Sequence, residues 1–252
     1  MSWGTERRNT IVFAVFLLIA IPTVLYFIIF KYEAPTCSDG KRNGSETGVD
    51  CGGGCALICA GQGIDPYVRW ARYFQVAPGM YNAVAYVENQ NADAGSDMFA
   101  YRFTMYDIEG AIIAERTGTT RLRPKEILPI VQNAVSTGKA MPVRINFEII
   151  KPIVWQREKT KESVIMVEDE KITETDASTK ITARLSNVSL SSMRNVAAVV
   201  ILYDKNGNAI GVSSTFIESI PANGSQDILF TWPRTFNGQI SRFEIAPLYE
   251  SN

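Results

Sequence analysis

The hydrophobic residues of this chain follow two patterns, the first of which is one long continuous run. Residues 11–30 read IVFAVFLLIAIPTVLYFIIF, twenty positions without a charged side chain. A helix with a rise of about 1.5 Å per residue spans roughly 30 Å over this length, which is the thickness of a bilayer's hydrocarbon core. We therefore predict a membrane-spanning helix, in which Pro22 is tolerated. A cleaved signal peptide is the alternative, but the run is long for one and no small-residue cleavage site follows it.

The second pattern is the alternation of apolar and polar side chains in the C-terminal two thirds of the chain. Phe99, Tyr101 and Phe103 alternate with smaller or polar residues, and residues 181–186 repeat the pattern. Turn signals such as Asn206-Gly207 come about every ten residues. Short half-buried strands at this spacing predict a mainly β fold made of two antiparallel β-sandwiches.

The alternating region also contains an internal repeat. The stretches FTMYDIEGAII (residues 103–113) and VILYDKNGNAI (residues 200–210) share the pattern Tyr-Asp-x-x-Gly-x-x-Ile. Other matches keep nearly the same offset of about 97 residues: Asn89 with Asn187, Pro124 with Pro221, and Phe147-Glu148-Ile149 with Phe243-Glu244-Ile245. Matches in the same order at one offset predict two tandem copies of a single domain.

Asp204, Asn206 and Asn208 alternate around Gly207, as ligands do at the start of a calcium loop. In the first copy Ala111 replaces the last of them, and the glycine and distal glutamate of a helix–loop–helix calcium site are missing. We therefore interpret the stretch as the tight turn of a β-hairpin.

All four cysteines lie in one short segment, as Cys37, Cys51, Cys55 and Cys59. The segment is rich in glycine and too short to bury a hydrophobic core, so cross-links must hold it. Two disulfides are predicted, with three possible pairings. A four-thiolate zinc site is the alternative, but such sites usually use two close cysteine pairs. Because disulfides need an oxidising compartment, we expect the N-terminus in the cytoplasm and the C-terminal part outside it.

Oxygen-bearing side chains lie between these cysteines, namely Asp39, Asn43, Glu46 and Asp50. They are the candidate calcium ligands of this chain. Asp and Asn also stabilise turns without an ion, and this is the interpretation we prefer. No metal or cofactor is therefore predicted.

The stretch YVRWARYF follows the cysteine segment, and it mixes aromatic residues with arginines. Arg69, Trp70, Arg72 and Tyr73 could form a platform for a sugar or a protein partner. The preferred interpretation is a first strand with Val68, Trp70 and Phe74 buried. Trp155 would then be the counterpart in the second copy.

Composition excludes several classes of function. The chain has 252 residues, is 46% hydrophobic and 20% charged, and has a net charge of -1. The chain therefore has no excess of positive charge that would attract nucleic acid. Histidine is absent, which removes the commonest general base and the triads and zinc motifs that need it. No phosphate-binding loop or nucleophile elbow is present either, so we predict that the protein is not an enzyme.

Two segments resemble known bacterial modules. The Cys37–Cys55 stretch, with its DG, NG, ET and VDCGG elements, resembles a small module of bacterial surface and secreted proteins. Phe103-Thr104-Met105-Tyr106-Asp107 and residues 200–204 (VILYD) resemble the strand that gives the FxLYD family its name, with one substitution each. The first resemblance implies an extracytoplasmic setting, and the second implies immunoglobulin-like sandwiches of unassigned function.

These observations divide the chain into a cytoplasmic tail (1–10), a transmembrane helix (11–30), a Cys/Gly-rich module (31–63) and two immunoglobulin-like sandwiches (64–152 and 153–252). We predict a single-pass signal-anchor protein of the cell membrane that displays two binding or structural domains at the cell surface. Its expected partners are the lipid bilayer and other envelope or surface proteins. The alternative is a subunit of a membrane-embedded secretion or pilus assembly.

Overall fold

The structure is a computed structural model that describes residues 3–30, 34–159, 164–236 and 238–249. The other residues, among them the first two of the predicted cytoplasmic tail and the last three of the chain, lie outside the described residues. The chain divides into two compact units, residues 1–55 and residues 56–252.

The first unit begins with one helix, α1 (Trp3–Phe30). Residues Arg7–Phe30 have a mean hydropathy of 2.8, and none of the apolar stretch is buried inside the protein. By length and composition this helix can cross a membrane, although a signal sequence would pass the same test. Pro22 lies within the helix, and the Thr23 hydroxyl next to it donates to the Ile19 carbonyl at 2.8 Å.

The described residues of the second unit form thirteen strands: β1 (Tyr67–Ala77), β2 (Met80–Glu88), β3 (Ala94–Tyr106), β4 (Ile112–Leu122), β5 (Ile127–Ser136), β6 (Arg144–Ile150), β7 (Gln156–Arg157), β8 (Ile165–Glu174), β9 (Thr179–Asn187), β10 (Met193–Tyr203), β11 (Ala209–Ile220), β12 (Ser225–Trp232) and β13 (Arg242–Leu248). All named strand pairs are antiparallel. The predicted fold class is confirmed: the chain is mainly β, with one apolar N-terminal helix.

The strands form four sheets that pair into two sandwiches. The first sandwich combines the sheet β1-β2-β5 with the sheet β4-β3-β6, to which the short β7 adds through β3. The second combines β8-β9-β12 with β11-β10-β13. Strands β1 to β6 correspond in order to strands β8 to β13, and the two sandwiches have the same strand order in both sheets apart from β7, which has no counterpart in the second.

Each sandwich has its own core, built by the predicted alternation. In the first, Ala83, Ala85 and Val87 of β2 pack with the aromatic residues of β3, including Phe99 and Phe103. In the second, the inward residues of β9 pack with those of β10. The outward positions of β9 are polar, which is why the alternation is visible there in the sequence.

The repeated Tyr-Asp motif forms the same turn in both sandwiches. The Asp107 carboxylate accepts hydrogen bonds from the Glu109 and Ala111 amides at 3.0 and 2.8 Å. The Asp204 carboxylate accepts the corresponding two bonds, both at 2.8 Å. Gly110 and Gly207 have φ values of 82° and 77°, which favour glycine. The turn interpretation agrees with this geometry, because the amide N–H groups occupy the aspartate oxygens.

Trp155 belongs to the first core rather than to the second copy. Its side chain is buried there, and β7 directly after it pairs with Ala94 and Gly95 of β3. On the neighbouring strand Trp70 pairs with Tyr86. In the second sandwich Arg184 occupies the position equivalent to Tyr86, and its strand partner is Glu168. The structural counterpart of Trp70 is therefore Glu168. The two tryptophans could not be told apart by their apolar neighbours in sequence.

Candidate functional site

The cysteine segment is held by disulfides, as predicted. Cys37 and Cys55 are bonded to one another with their Cα atoms 5.7 Å apart. Cys51 and Cys59 are also disulfide-bonded, and no cysteine is free. A Glu46 carboxylate oxygen lies within 4.8 Å of the Cys37 and Cys55 sulfurs. These sulfurs are not thiolates, so the group lacks the ligands of a zinc site.

The four candidate calcium ligands hydrogen-bond within the module. The Asp50 carboxylate accepts the Gly40 amide at 3.0 Å, and Glu46 accepts the Asn43 amide at 3.2 Å. Asp39 accepts the Asn43 side-chain amide at 2.7 Å, and this bond is the main cause that lowers the pKa of Asp39. Gly53 is required where the chain folds back, because a Cβ there would lie 1.6 Å from the Ser45 carbonyl oxygen. Through these bonds the side chains stabilise turns of the module.

The four residues of the candidate binding platform lie on β1, but their side chains do not all point to the same side of the strand. Arg69 forms an ion pair with Glu88 at 2.8 Å, and the Tyr73 hydroxyl donates to the Pro142 carbonyl at 2.7 Å. Trp70 stacks on Tyr86 with ring centroids 5.0 Å apart. The strand is irregular between Val68 and Trp70, and this shift places Trp70 on the face opposite the first core.

That opposite face is the contact between the two sandwiches. Val84 and Tyr86 of β2 pack with Val199, Ile201 and Tyr203 of β10, together with Ala209 and Val212 of β11. All seven side chains are buried. The outer face of one sheet in the first sandwich thus covers the outer face of one sheet in the second, and both central strands are buried on both sides.

Polar bonds fix the register of this contact. Asn82 is buried, and its side-chain amide donates to the Val212 carbonyl at 3.1 Å. Arg72, the fourth residue of the predicted platform, donates to the Ala209 carbonyl at 3.1 Å. At the far edge the Arg123 guanidinium lies over the Tyr249 ring and donates to its carbonyl at 2.5 Å. Because buried polar groups are costly when unpaired, these bonds favour one arrangement of the sandwiches.

The contact is not symmetric between the copies. Strand pairing makes Arg102 of the first sandwich equivalent to the buried Val199, and Arg184 of the second equivalent to the buried Tyr86. Both arginines are partly exposed and each pairs with two carboxylates: Arg102 with Glu115 and Glu148, Arg184 with Asp169 and Asp227. Each copy therefore has one apolar outer face that is used and one charged outer face that is free.

Sequence reasoning missed this contact, although a signal was present. Residues 83–87 (AVAYV) and 196–203 (VAAVVILY) are continuous apolar runs, whereas β9 alternates. A short continuous run predicts a strand that is buried on both faces. The runs mark the strands that meet between the sandwiches.

A small cleft of about 270 Å³ lies at the edge of the contact, and it is lined by residues from both sandwiches, including Arg121, Arg123, Glu126 and Tyr249. Burial raises the pKa of Glu126, whose carboxylate accepts the Arg123 amide at 2.7 Å. Arg121 is already paired with Asp97 and Glu158. The charged side chains that line the cleft are thus already bonded to neighbouring groups, and the cleft presents no concentrated charge to a ligand.

Comparisons with known proteins give no family. No family model and no curated protein matches the chain. Similar solved structures include a red sea bream transglutaminase (9% identity, TM-score 0.27) and a β-glucuronidase of glycoside hydrolase family 2 (10%, TM-score 0.21). The matches cover 76% and 68% of this chain, but only 30% and 24% of those proteins. A tandem CBM22 domain from Paenibacillus barcinonensis Xyn10C is matched over 77% of this chain and 87% of its own, at 7% identity and TM-score 0.16. Similarities this low carry no argument about function.

Proposed function

We propose that this protein is a single-pass membrane protein that holds two stacked immunoglobulin-like domains outside the cytoplasm for a binding or structural role, without enzymatic activity. The observation that carries the proposal is the pairing of all four cysteines within 29 residues of an apolar helix. Disulfides persist in oxidising compartments, and the helix supplies an anchor of sufficient length.

The stacked sandwiches support the structural side of the role. A linker without contacts would let two domains move independently, whereas this contact buries seven apolar or aromatic side chains and several hydrogen bonds. The pair would act as one rigid body. The equal strand order of the two sandwiches also supports the tandem duplication, which is part of this proposal.

Two single-cysteine variants test the anchor and its direction. Since no native cysteine is free, Leu190→Cys, at a position 89% exposed on the second sandwich, provides a unique thiol. We expect a membrane-impermeant maleimide to label it in intact spheroplasts, and to label Ser2→Cys in the tail only after permeabilisation. Labelling of Leu190→Cys only after permeabilisation would refute the orientation, and a mature protein without residue 2 would refute the anchor. Stable co-purification of other membrane proteins in mild detergent would favour the envelope-assembly alternative.

A further inference from the structure

Strand β11 is an edge strand of the second sandwich, and it lacks the features that protect the edge strands β8 and β13. Strand β11 is twelve residues long, has one charged residue, Glu218, and keeps an unbroken register with β10 from residue 211 to residue 220. In contrast, β8 at another edge has four consecutive charged residues (168–171) and a register shift, and β13 is short and contains Pro247. Long, flat edge strands with few charges are templates for pairing with another strand.

Only the second half of β11 is open. Its first half is covered by the first sandwich, through the bonds from Arg72 to the Ala209 carbonyl and from Asn82 to the Val212 carbonyl. Residues 215–219 instead line an open groove of about 470 Å³, whose other wall is residues 226–229 of β12. Because the Val212 carbonyl accepts its bond from Asn82 of the first sandwich, the alternation of an antiparallel strand also points the backbone groups of Phe216 away from β10, toward the groove.

Ile217 of this segment packs in the second core, but the Phe216 side chain is not required by the fold. Phe216 is 63% exposed and pairs with Ala197, and the equivalent residue in the first sandwich is Thr119, which pairs with Ala100. Leu229, on the other wall, is also exposed. An exposed phenylalanine beside unpaired backbone groups provides both parts of strand addition, which are main-chain hydrogen bonds and side-chain contacts at alternate positions.

We propose that the segment 215–219 of β11 binds an extended peptide segment of another protein, which adds as a strand and carries apolar residues at alternate positions and a lysine or arginine. The groove's ionisable side chains are Glu218 and Asp227. Because Asp227 is already paired with Arg184, the carboxylate of Glu218 is the group that favours a basic partner. A second copy of this chain is disfavoured, because pairing two such segments would bring like carboxylates together. The inference specifies the binding role proposed above, and it does not depend on the membrane anchor.

The test uses the full-length protein in detergent micelles and a fluorescein-labelled peptide of sequence TVKVT, with TVEVT as the charge-reversed probe. We expect anisotropy titrations to show about three- to fivefold tighter binding of TVKVT, the value of a partly exposed charge pair. Glu218→Lys should reverse this preference, whereas Glu170→Lys on β8 should leave it unchanged. N-methylation of alternate peptide amides should abolish binding when it blocks the edge that faces β11, and should leave it intact on the other edge.

Three results would overturn the proposal. The first is absence of binding by either peptide up to millimolar concentration, with the variants' melting temperatures unchanged. The second is peptide affinity that does not depend on which amides are N-methylated, or that changes equally with Glu218→Lys and Glu170→Lys. The third is a concentration-dependent dimer, in sedimentation experiments, that competes with the peptide, since this would make a second copy the occupant. None of these results bears on the thiol-labelling test, so the two proposals fail separately.

Discussion

Two adjacent valines of β10 provide the sharpest test of the contact between the sandwiches. Val199 faces the other sandwich and Val200 faces the core of its own, and both are almost fully buried. Substitution of either by alanine removes the same two methyl groups. At about 0.8 kcal/mol per methylene-sized group, plus a cavity contribution, each should cost about 1.5–3 kcal/mol of unfolding free energy.

The two substitutions should differ in where the loss appears. Hydrogen exchange measured by mass spectrometry on the full-length protein in detergent can follow β2 and β9 separately. We expect Val199→Ala to increase exchange in β2, which lies in the other sandwich, at least as much as in β9. Val200→Ala should act mainly on β9, because its methyl groups pack within the second core.

A specific result would refute this reasoning. If Val199→Ala leaves β2 exchange unchanged and loosens only the second sandwich, the contact contributes no stability to the first. The sandwiches would then be independent domains that merely lie against one another, and the rigid-body part of the proposed function would be wrong.

Further predictions concern single features. Val199→Arg, which copies Arg102 of the first sandwich, should cost on the order of 3–5 kcal/mol in urea unfolding, because it buries an unpaired charge. Asn187→Ala should cost about 2–3 kcal/mol in the same assay, because buried Asn187 donates to the Ser191 and Pro221 carbonyls at 2.8 and 2.9 Å, which would lose their partner. The pKa of Glu174 is lowered from 4.5, chiefly by the hydrogen bond that its carboxylate accepts from the Phe236 amide, and this bond stabilises the fold while Glu174 is ionised. Its stabilising effect is therefore present above pH 4.5 and lost as the pH falls through the lowered value, so Glu174→Gln should flatten the pH dependence of thermal melting below pH 5. Cys55→Ser removes the disulfide to Cys37 and should lower the free energy of unfolding of the module by about 3 kcal/mol. The measurement is the rate of trypsin cleavage after Lys41 or Arg42 in detergent, which should increase.

Much of the architecture could be predicted from local patterns. The twenty uncharged residues indicated the helix, the alternation in β9 indicated a half-buried strand, and the repeated Tyr-Asp turn indicated a hairpin. Each of these depends on neighbours within a few positions in the sequence. The clustered cysteines likewise indicated disulfides, because a segment of that length cannot bury a core and needs cross-links, and the cysteine spacing fits a zinc site poorly.

The candidate site was predicted less well, because its features depend on partners far apart in the sequence. Arg72 and Trp70 have the composition of a binding platform, but their partners are Ala209, 137 residues away, and Tyr86 in the neighbouring strand. Trp155 shows the same difficulty, since its composition suits either core and only the pairing of β7 assigns it to the first.

By itself, then, the sequence determined the kind of each element: an apolar helix, a cross-linked module and two sets of strands in the same order. The tertiary structure decided which faces meet. It buries Tyr86 and Val199 between the sandwiches, leaves their equivalents Arg184 and Arg102 partly exposed, and leaves half of β11 open. The physical reason is that alternation specifies that a face is apolar, whereas the surface that covers it is contributed by residues about a hundred positions away.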